Sequence, residues 1–124
     1  MATLNLRVWE SILVDYVRSG EPDLTNRQMA ILMTVYSNEG PHTVRGLAHM
    51  LNVSKPVITR ALNKLGDLDY LRRQRDESDG RNIFVITTSA GAHFLTSFEK
   101  FMRGTSGPFG EQSPSANGRM ELCA

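Results

Sequence analysis

The run Thr43–Gly91, TVRGLAHMLNVSKPVITRALNKLGDLDYLRRQRDESDGRNIFVITTSAG, decides the fold of this 124-residue chain. It reads as a helix, a tight turn, a second helix, a strand, a charged hairpin loop, a returning strand and the start of a third helix. Val44, Leu47, Ala48 and Leu51 recur at i, i+3, i+4 and i+7, one face of a short helix with Thr43 as its N-cap. Asn52 suits the stop after it, because Asn tolerates positive φ better than most residues. Val53 then plugs the turn and Ser54 caps the second helix. Pro56 falls in the first turn of that helix, where a missing N–H costs little. Ile58, Ala61, Leu62 and Leu65 make its buried face.

The opposite face of the second helix carries Lys55, Pro56, Thr59, Arg60, Asn63 and Lys64. A merely solvated face would explain such residues. Helices of this length usually carry acids on that side, however, and none occurs between Ser54 and Gly66. An acid-free, hydrogen-bonding face after a tight turn suits phosphates and base edges. The expected architecture is therefore a helix-turn-helix that offers one helix to a DNA major groove, followed by a β-hairpin wing.

Within the wing, Tyr70 and Leu71 open an extended run in which Arg72, Arg73 and Arg75 interleave with Gln74. Residues 76–82 are turn-rich, with Asp79-Gly80 near the tip, a frequent hairpin signal. Residues 83–86 return as a strand, and Thr87 or Thr88 caps the next helix. An ordinary surface hairpin of balanced charge has the same outline, and Asp76, Glu77 and Asp79 argue against a purely electrostatic clamp. Arg81 beside Asp79 reads as an arginine held by an acid and aimed outward.

These residues together resemble the MarR family of bacterial regulators. The segment Ser54-Lys55-Pro56-Val57-Ile58-Thr59-Arg60-Ala61-Leu62-Asn63-Lys64-Leu65-Gly66 is similar to the family's recognition helix. The wing follows with Arg75-Asp76, Asp79-Gly80-Arg81 and then Val85-Ile86-Thr87-Thr88-Ser89-Ala90-Gly91. The family pattern has Asp-x-Arg in the wing, a strand, and Leu-Thr-x-x-Gly, with Ile86 standing here for the Leu. The likeness covers roughly residues 25–100.

It implies a mainly α winged helix-turn-helix with a small β-hairpin, whose N- and C-terminal helices form a homodimer interface. It further implies that double-stranded DNA is the partner, with helix 54–66 in the major groove and wing 72–86 in the minor groove. Ser54, Lys55, Pro56, Thr59, Arg60 and Asn63 match the groove-facing positions, and Arg81 is the wing arginine, braced by Asp79. Thr43, Lys64, Arg73 and Arg75 complete the expected DNA-binding set. A small-molecule effector is compatible with the likeness, but nothing in the sequence indicates one, nor any cofactor or metal.

Length bounds the chain to one domain with a modest core. The formal net charge is only +1, so no global cationic field announces nucleic acid. Between Thr43 and Arg81, eight Lys and Arg residues stand against five acids, a local +3, and the acids lie outside the second helix. A mildly basic patch suffices for a dimer that doubles it.

No apolar run approaches the ~20 residues needed to span a bilayer, and the start, MATLNLRVWE, lacks the basic-then-apolar order of a secretory signal. The single Cys123 excludes an internal disulfide and fits a reducing, cytoplasmic setting. His42, His49 and His93 lack metal-ligand spacing, and no carboxylate pair or Gly-rich phosphate loop accompanies them. Arg45-Gly46 reads as close packing. No catalytic site is expected.

Upstream, Leu6, Trp9, Leu13, Tyr16 and Val17 form a helical stripe that Val8 and Ile12 widen, ended by Gly20-Glu21-Pro22. Such a helix is apolar on more than one side, which suits a dimer interface or, alternatively, cover for its own core. Trp9, Tyr16 and His42 are candidates for a small pocket, with simple packing as the other account. Thr25 and Gln28 make a capping box for a helix through Met29, Leu32, Met33, Val35 and Tyr36, stopping before Gly40-Pro41. After the wing, residues 89 to about 102 carry Phe94, Leu95, Phe98, Phe101 and Met102, a shorter helix than the family's usual C-terminal ones. From Gly104 the composition turns to Gly, Ser and Pro, so 1–103 is expected as the DNA-binding domain with its dimerisation helices and 104–124 as a disordered tail. Two functional classes fit: a sequence-specific DNA-binding transcriptional regulator, or a winged-helix protein-interaction adaptor without DNA binding.

Overall fold

Side-chain caps set the helix boundaries throughout the computed structural model, which describes residues 5–106. Asn5 accepts the Val8 amide and opens α1 (Leu6–Arg18). Thr25 and Gln28 form the expected reciprocal capping box of α2 (Asn26–Ser37). A short strand β1 (His42–Thr43) leads into α3 (Val44–Leu51), α4 (Lys55–Asp67), β2 (Leu71–Arg75), β3 (Ile83–Thr87) and α5 (Ser89–Ser106). Between α3 and α4, Asn52 adopts the left-handed conformation at φ 57°.

β1 was not legible in the sequence, since two residues carry no periodicity. It exists through pairing with β3, His42 against Val85 and Thr43 against Phe84, in an antiparallel sheet of order β1-β3-β2. β2 and β3 pair from Leu71–Thr87 to Arg75–Ile83. Thr43 ends β1 and also caps α3, its hydroxyl accepting the Gly46 amide at 2.9 Å. A Cβ on Gly46 would approach that hydroxyl to 3.1 Å, which accounts for the glycine as close packing.

Residues Leu24–Leu95 form one compact unit. Its core is built from Ile31, Leu32 and Val35 of α2, Leu47 of α3, and Ile58, Leu62 and Leu65 of α4, all buried, with Leu71 and Val85 from the sheet. One polar cluster ties the strand ends to the helices. The Tyr36 hydroxyl accepts the Thr88 amide at 2.8 Å and lies 2.8 Å from the Tyr70 carbonyl and 2.9 Å from that of Thr88. Thr88 in turn accepts the Gly91 amide at 2.9 Å and donates its hydroxyl to the Asp69 carbonyl at 2.6 Å. Asp69 itself takes a positive φ of 61° to bring that carbonyl into place. The Tyr70 ring stacks on Phe94 with centroids 4.6 Å apart.

The cap on α5 is therefore Thr88, and Thr-x-x-Gly is residues 88–91. This corrects the alignment drawn from sequence: Thr87, not Ile86, stands immediately before the motif. Ile86 lies one position earlier, paired with Arg72.

The second unit comprises the terminal residues, up to Asp23 and from Thr96. Val8, Ile12 and Tyr16 line the buried face of α1, and Tyr16 meets Phe98 and Phe101 edge-on at 5.4 and 6.1 Å. Its hydroxyl donates to the Pro22 carbonyl. The other face of α1 stays exposed, with Leu6 at 81%, Val17 at 71%, and Trp9 and Leu13 near 40%. So the helix does have two apolar sides. α5 continues through Ser106, past the expected helix end near Met102 and past Gly104, where the tail was expected to begin. The rest of the expected tail, residues 107–124 with Cys123, lies outside the described residues. Among the described residues, no helix is long and apolar enough to cross a membrane.

Gly91 is the sharpest steric constraint in this arrangement, because a Cβ there would overlap both the Tyr36 hydroxyl and the Tyr70 carbonyl. Gly91→Ala is expected to destabilise by at least about 2 kcal/mol, as overpacking of a filled site does. A urea melt with an unchanged midpoint would show that the cluster yields cheaply.

Candidate nucleic-acid interface

The α4 sequence sorts into two faces, although the helix runs on to Asp67, so one of the acids expected outside it is its last residue. Ile58, Ala61, Leu62 and Leu65 are buried, while Lys55, Pro56, Thr59, Arg60, Asn63 and Lys64 are all exposed. Ser54 caps the helix through the Val57 amide, and Pro56 occupies its first turn. The open N-terminal turn leaves N–H groups and the positive end of the helix dipole facing outward. Among the described residues, Lys55, Arg60 and Lys64 make no ion pair with any acid. Their charge is uncompensated. Thr43 sits apart from this face in role, its oxygen already serving the α3 cap.

Each wing arginine has a distinct partner. Arg73 of β2 reaches α4 and donates to the Asn63 amide oxygen at 2.8 Å. Arg75 folds back to the tip and donates to the Gly80 carbonyl at 2.8 Å. Arg72, outside the expected DNA-binding set, lies 3.4 Å from Asp69. Arg81 donates its Nε to Asp79 at 3.1 Å, while its backbone amide also binds the same carboxylate oxygen at 3.1 Å. The Arg81 side chain is nonetheless 84% exposed, against 38% for Asp79. The sequence expectation of an arginine held by an acid and directed outward matches this geometry.

Asp76 organises the loop beneath that pair. Its carboxylate accepts the Ser78 hydroxyl at 2.7 Å, the Ser78 amide at 3.0 Å and the Asn82 side-chain amide at 3.4 Å. Backbone bonds from Asp76 to Asn82 and from Asn82 to Asp79 close the turn. Hydrogen bonding by the Ser78 hydroxyl, then by its amide, holds the Asp76 carboxyl below the usual carboxylate range. A carboxyl lowered in this way supports the loop fully at neutral pH and loses that contribution as pH falls through its depressed value. Sequence reasoning had treated Asp76 only as a charge. The Asp-x-Ser spacing is the signal that was available, since Asx-turns bond the backbone two residues on.

Each pocket candidate from the sequence has its own surroundings. Trp9 is exposed on α1, and Tyr16 belongs to the aromatic cluster with Phe98. The His42 ring bonds the Asn38 carbonyl at 2.9 Å and lines a shallow hollow with Val35, Pro41, Phe84 and Ile86. No group of three His, Cys, Asp or Glu side chains among the described residues is arranged to hold a metal ion.

Comparison with known proteins places this geometry. An uncharacterised HTH-type transcriptional regulator of Mycobacterium leprae is 30% identical over 78 residues, covering 63% of this chain and 54% of that protein. The HTH-type regulator YpoP of Bacillus subtilis is 29% identical over 100 residues, 81% of this chain and 70% of that one. The chain thus spans about half the length of the mycobacterial relative. Among solved structures, reduced AbfR bound to DNA superposes with a TM-score of 0.61 at 22% identity, over 77% of this chain and 62% of that one. That likeness speaks to the fold. The family model for MarR matches residues 23–82, which run from α2 to the wing tip and contain α4 and the Asp79–Arg81 pair. Over residues 23–82 this chain is therefore similar to the MarR family.

Proposed function

We propose that this chain is a sequence-specific, double-stranded DNA-binding transcriptional regulator, with residues 54–66 in the major groove and the wing, 72–86, in the minor groove. The observation that carries the reading is the exposed α4 face, whose Lys55, Arg60 and Lys64 make no ion pair among the described residues, together with an outward Arg81 in the wing. Ser54, Pro56, Thr59 and Asn63 supply hydrogen-bonding and apolar contacts on that face, with Thr43, Arg73 and Arg75 flanking it. The DNA complex of a protein with this fold supports the assignment. The chain through the end of α5 at Ser106 supplies the DNA-binding region and its dimerisation helices. The protein works in the cytoplasm, without a catalytic site or cofactor.

Titration of random duplex DNA at several salt concentrations tests the function. Affinity should fall steeply with salt, because neutralised phosphates release counterions. An adaptor would show no such shift. Arg60, one turn into α4, is expected to read a guanine edge, so Arg60→Ala should cost about 1–3 kcal/mol and relax preference at one base position. Unchanged affinity would remove Arg60 from the contact surface.

The exposed face of α1 calls for a partner. Leu6, Trp9, Leu13 and Val17 make an apolar stripe that soluble monomers seldom leave open. A homodimer through α1 and the end of α5 covers it, and a two-fold pair presents both α4 helices to successive half-sites. Sedimentation at micromolar concentration without DNA should show the dimer. A monomer alone would sink this arrangement.

Asp79 offers a test of sign. On charge alone, Asp79→Ala should tighten DNA binding by removing an acid. If Asp79 instead holds the Arg81 guanidinium for the minor groove, its loss frees that side chain and weakens binding. Weakening is expected, with no further loss from Asp79→Ala in an Arg81→Ala background. Additive losses in the double mutant would show that the two residues act separately.

A further inference from the structure

We infer that Arg73 is a positioning residue that sets which bases Asn63 can read. The inference rests on the proposal that α4 enters the major groove. A guanidinium has only donors, so the Asn63 atom 2.8 Å from Arg73 Nη2 is the carbonyl oxygen Oδ1. Chemistry therefore fixes the orientation of the amide. Its NH2 group is left without a partner among the described residues, on the exposed face that also carries Thr59 and Arg60. Asn63 thus presents donors outward, while its acceptor is committed to β2.

That arrangement has a definite consequence for recognition. Asparagine reads adenine by a paired contact, accepting from N6 with its oxygen and donating to N7 with its nitrogen. With Oδ1 turned toward Arg73, the accepting half of that contact is lost. Guanine offers two acceptors, N7 and O6, on its major-groove edge and matches a donor-only amide. The specificity assigned to Asn63 is accordingly guanine over adenine. The contact spans ten positions in sequence, from the C-terminal half of α4 to the middle of β2, so the wing strand takes part in base choice without touching the base.

Selection of bound duplexes from a random pool, with the full chain and its variants, tests this. The parent should enrich a motif containing one guanine whose preference disappears in Asn63→Ala. Arg73→Ala should reduce that guanine-over-adenine preference from roughly tenfold, the scale of a good base contact, to near parity, leaving other motif positions intact. Arg73→Lys keeps a donor and the charge and should retain the preference. Asn63→Asp, which offers only acceptors, should lose guanine at this position. If Arg73→Ala instead lowers affinity evenly across all sequences and keeps the guanine, Arg73 is a phosphate contact and the inference fails. An adenine at the Asn63-dependent position of the parent motif overturns it equally. A parent that enriches no motif at all refutes the DNA-binding proposal beneath it, which is a separate and recognisable outcome. Both substituted residues are exposed, and circular dichroism of each of the four variants confirms the fold before selection.

Discussion

The Tyr36 hydroxyl is the point on which the wing depends. A two-stranded hairpin is marginal by itself in water, and β2 and β3 must leave the body of the protein at a fixed angle to be of use. Tyr36, near the end of α2, reaches both strand boundaries at once, bonding Thr88 through its amide and approaching the Tyr70 carbonyl. A phenol can donate only one hydrogen, so the two carbonyls at 2.8 and 2.9 Å share it while the Thr88 amide fills an acceptor site. The half-buried cluster leaves no room for a side chain at Gly91, which sits against both the phenol and the Tyr70 carbonyl. Thr88 closes the ring by bridging Asp69 and Gly91. The Thr-x-x-Gly motif is thus a joint: its Thr caps α5 and ties down the chain before β2, and its Gly admits the tyrosine.

Beyond that joint, the polar contacts of the wing arginines are exposed. Leu71 and Val85 anchor the base of the sheet in the core, whereas Arg73, Arg75 and Arg81 bond partners that water also reaches. Such contacts add little stability. Their effect is to choose among side-chain rotamers, and four residues beyond the sheet base, Asn63, Gly80, Asp76 and Asp79, serve as the acceptors or organisers.

Local physics made most of the fold legible in the sequence. The caps at Thr25, Thr43 and Ser54, the left-handed Asn52 and the apolar faces of α1 to α4 all depend on residues within a few positions of one another. The exposed face of α4 followed from the same periodicity. What escaped reading depends on distant pairs. Tyr36 meets Tyr70 and Thr88 across 34 and 52 residues, and nothing near Tyr36 distinguishes it from another core aromatic. The Arg73–Asn63 contact requires knowing how β2 lies on α4. β1 is a product of pairing with β3, with no pattern of its own. The misplacement of Ile86 was different in kind: two consecutive threonines each fit a cap, but the spacing to Gly91 already selects Thr88, as the Thr88–Gly91 hydrogen bond shows.

The Asp79–Arg81 pair brings these threads together. An ion pair at 3.1 Å whose arginine is 84% exposed contributes at most about 1 kcal/mol to folding. An acid at the tip also lowers attraction to any polyanion, so stability and charge both argue against it. Preorganisation argues for it. Immobilising a long side chain on binding costs about 0.5–1.5 kcal/mol, and Asp79 removes part of that cost in advance by fixing both the Arg81 amide and its Nε. Asp79 is itself held by the turn that Asp76, Ser78 and Asn82 close. Held from below by a hydrogen-bonded loop, the arginine extends from a defined base, and a single acid can serve its orientation better than another cation would serve its charge.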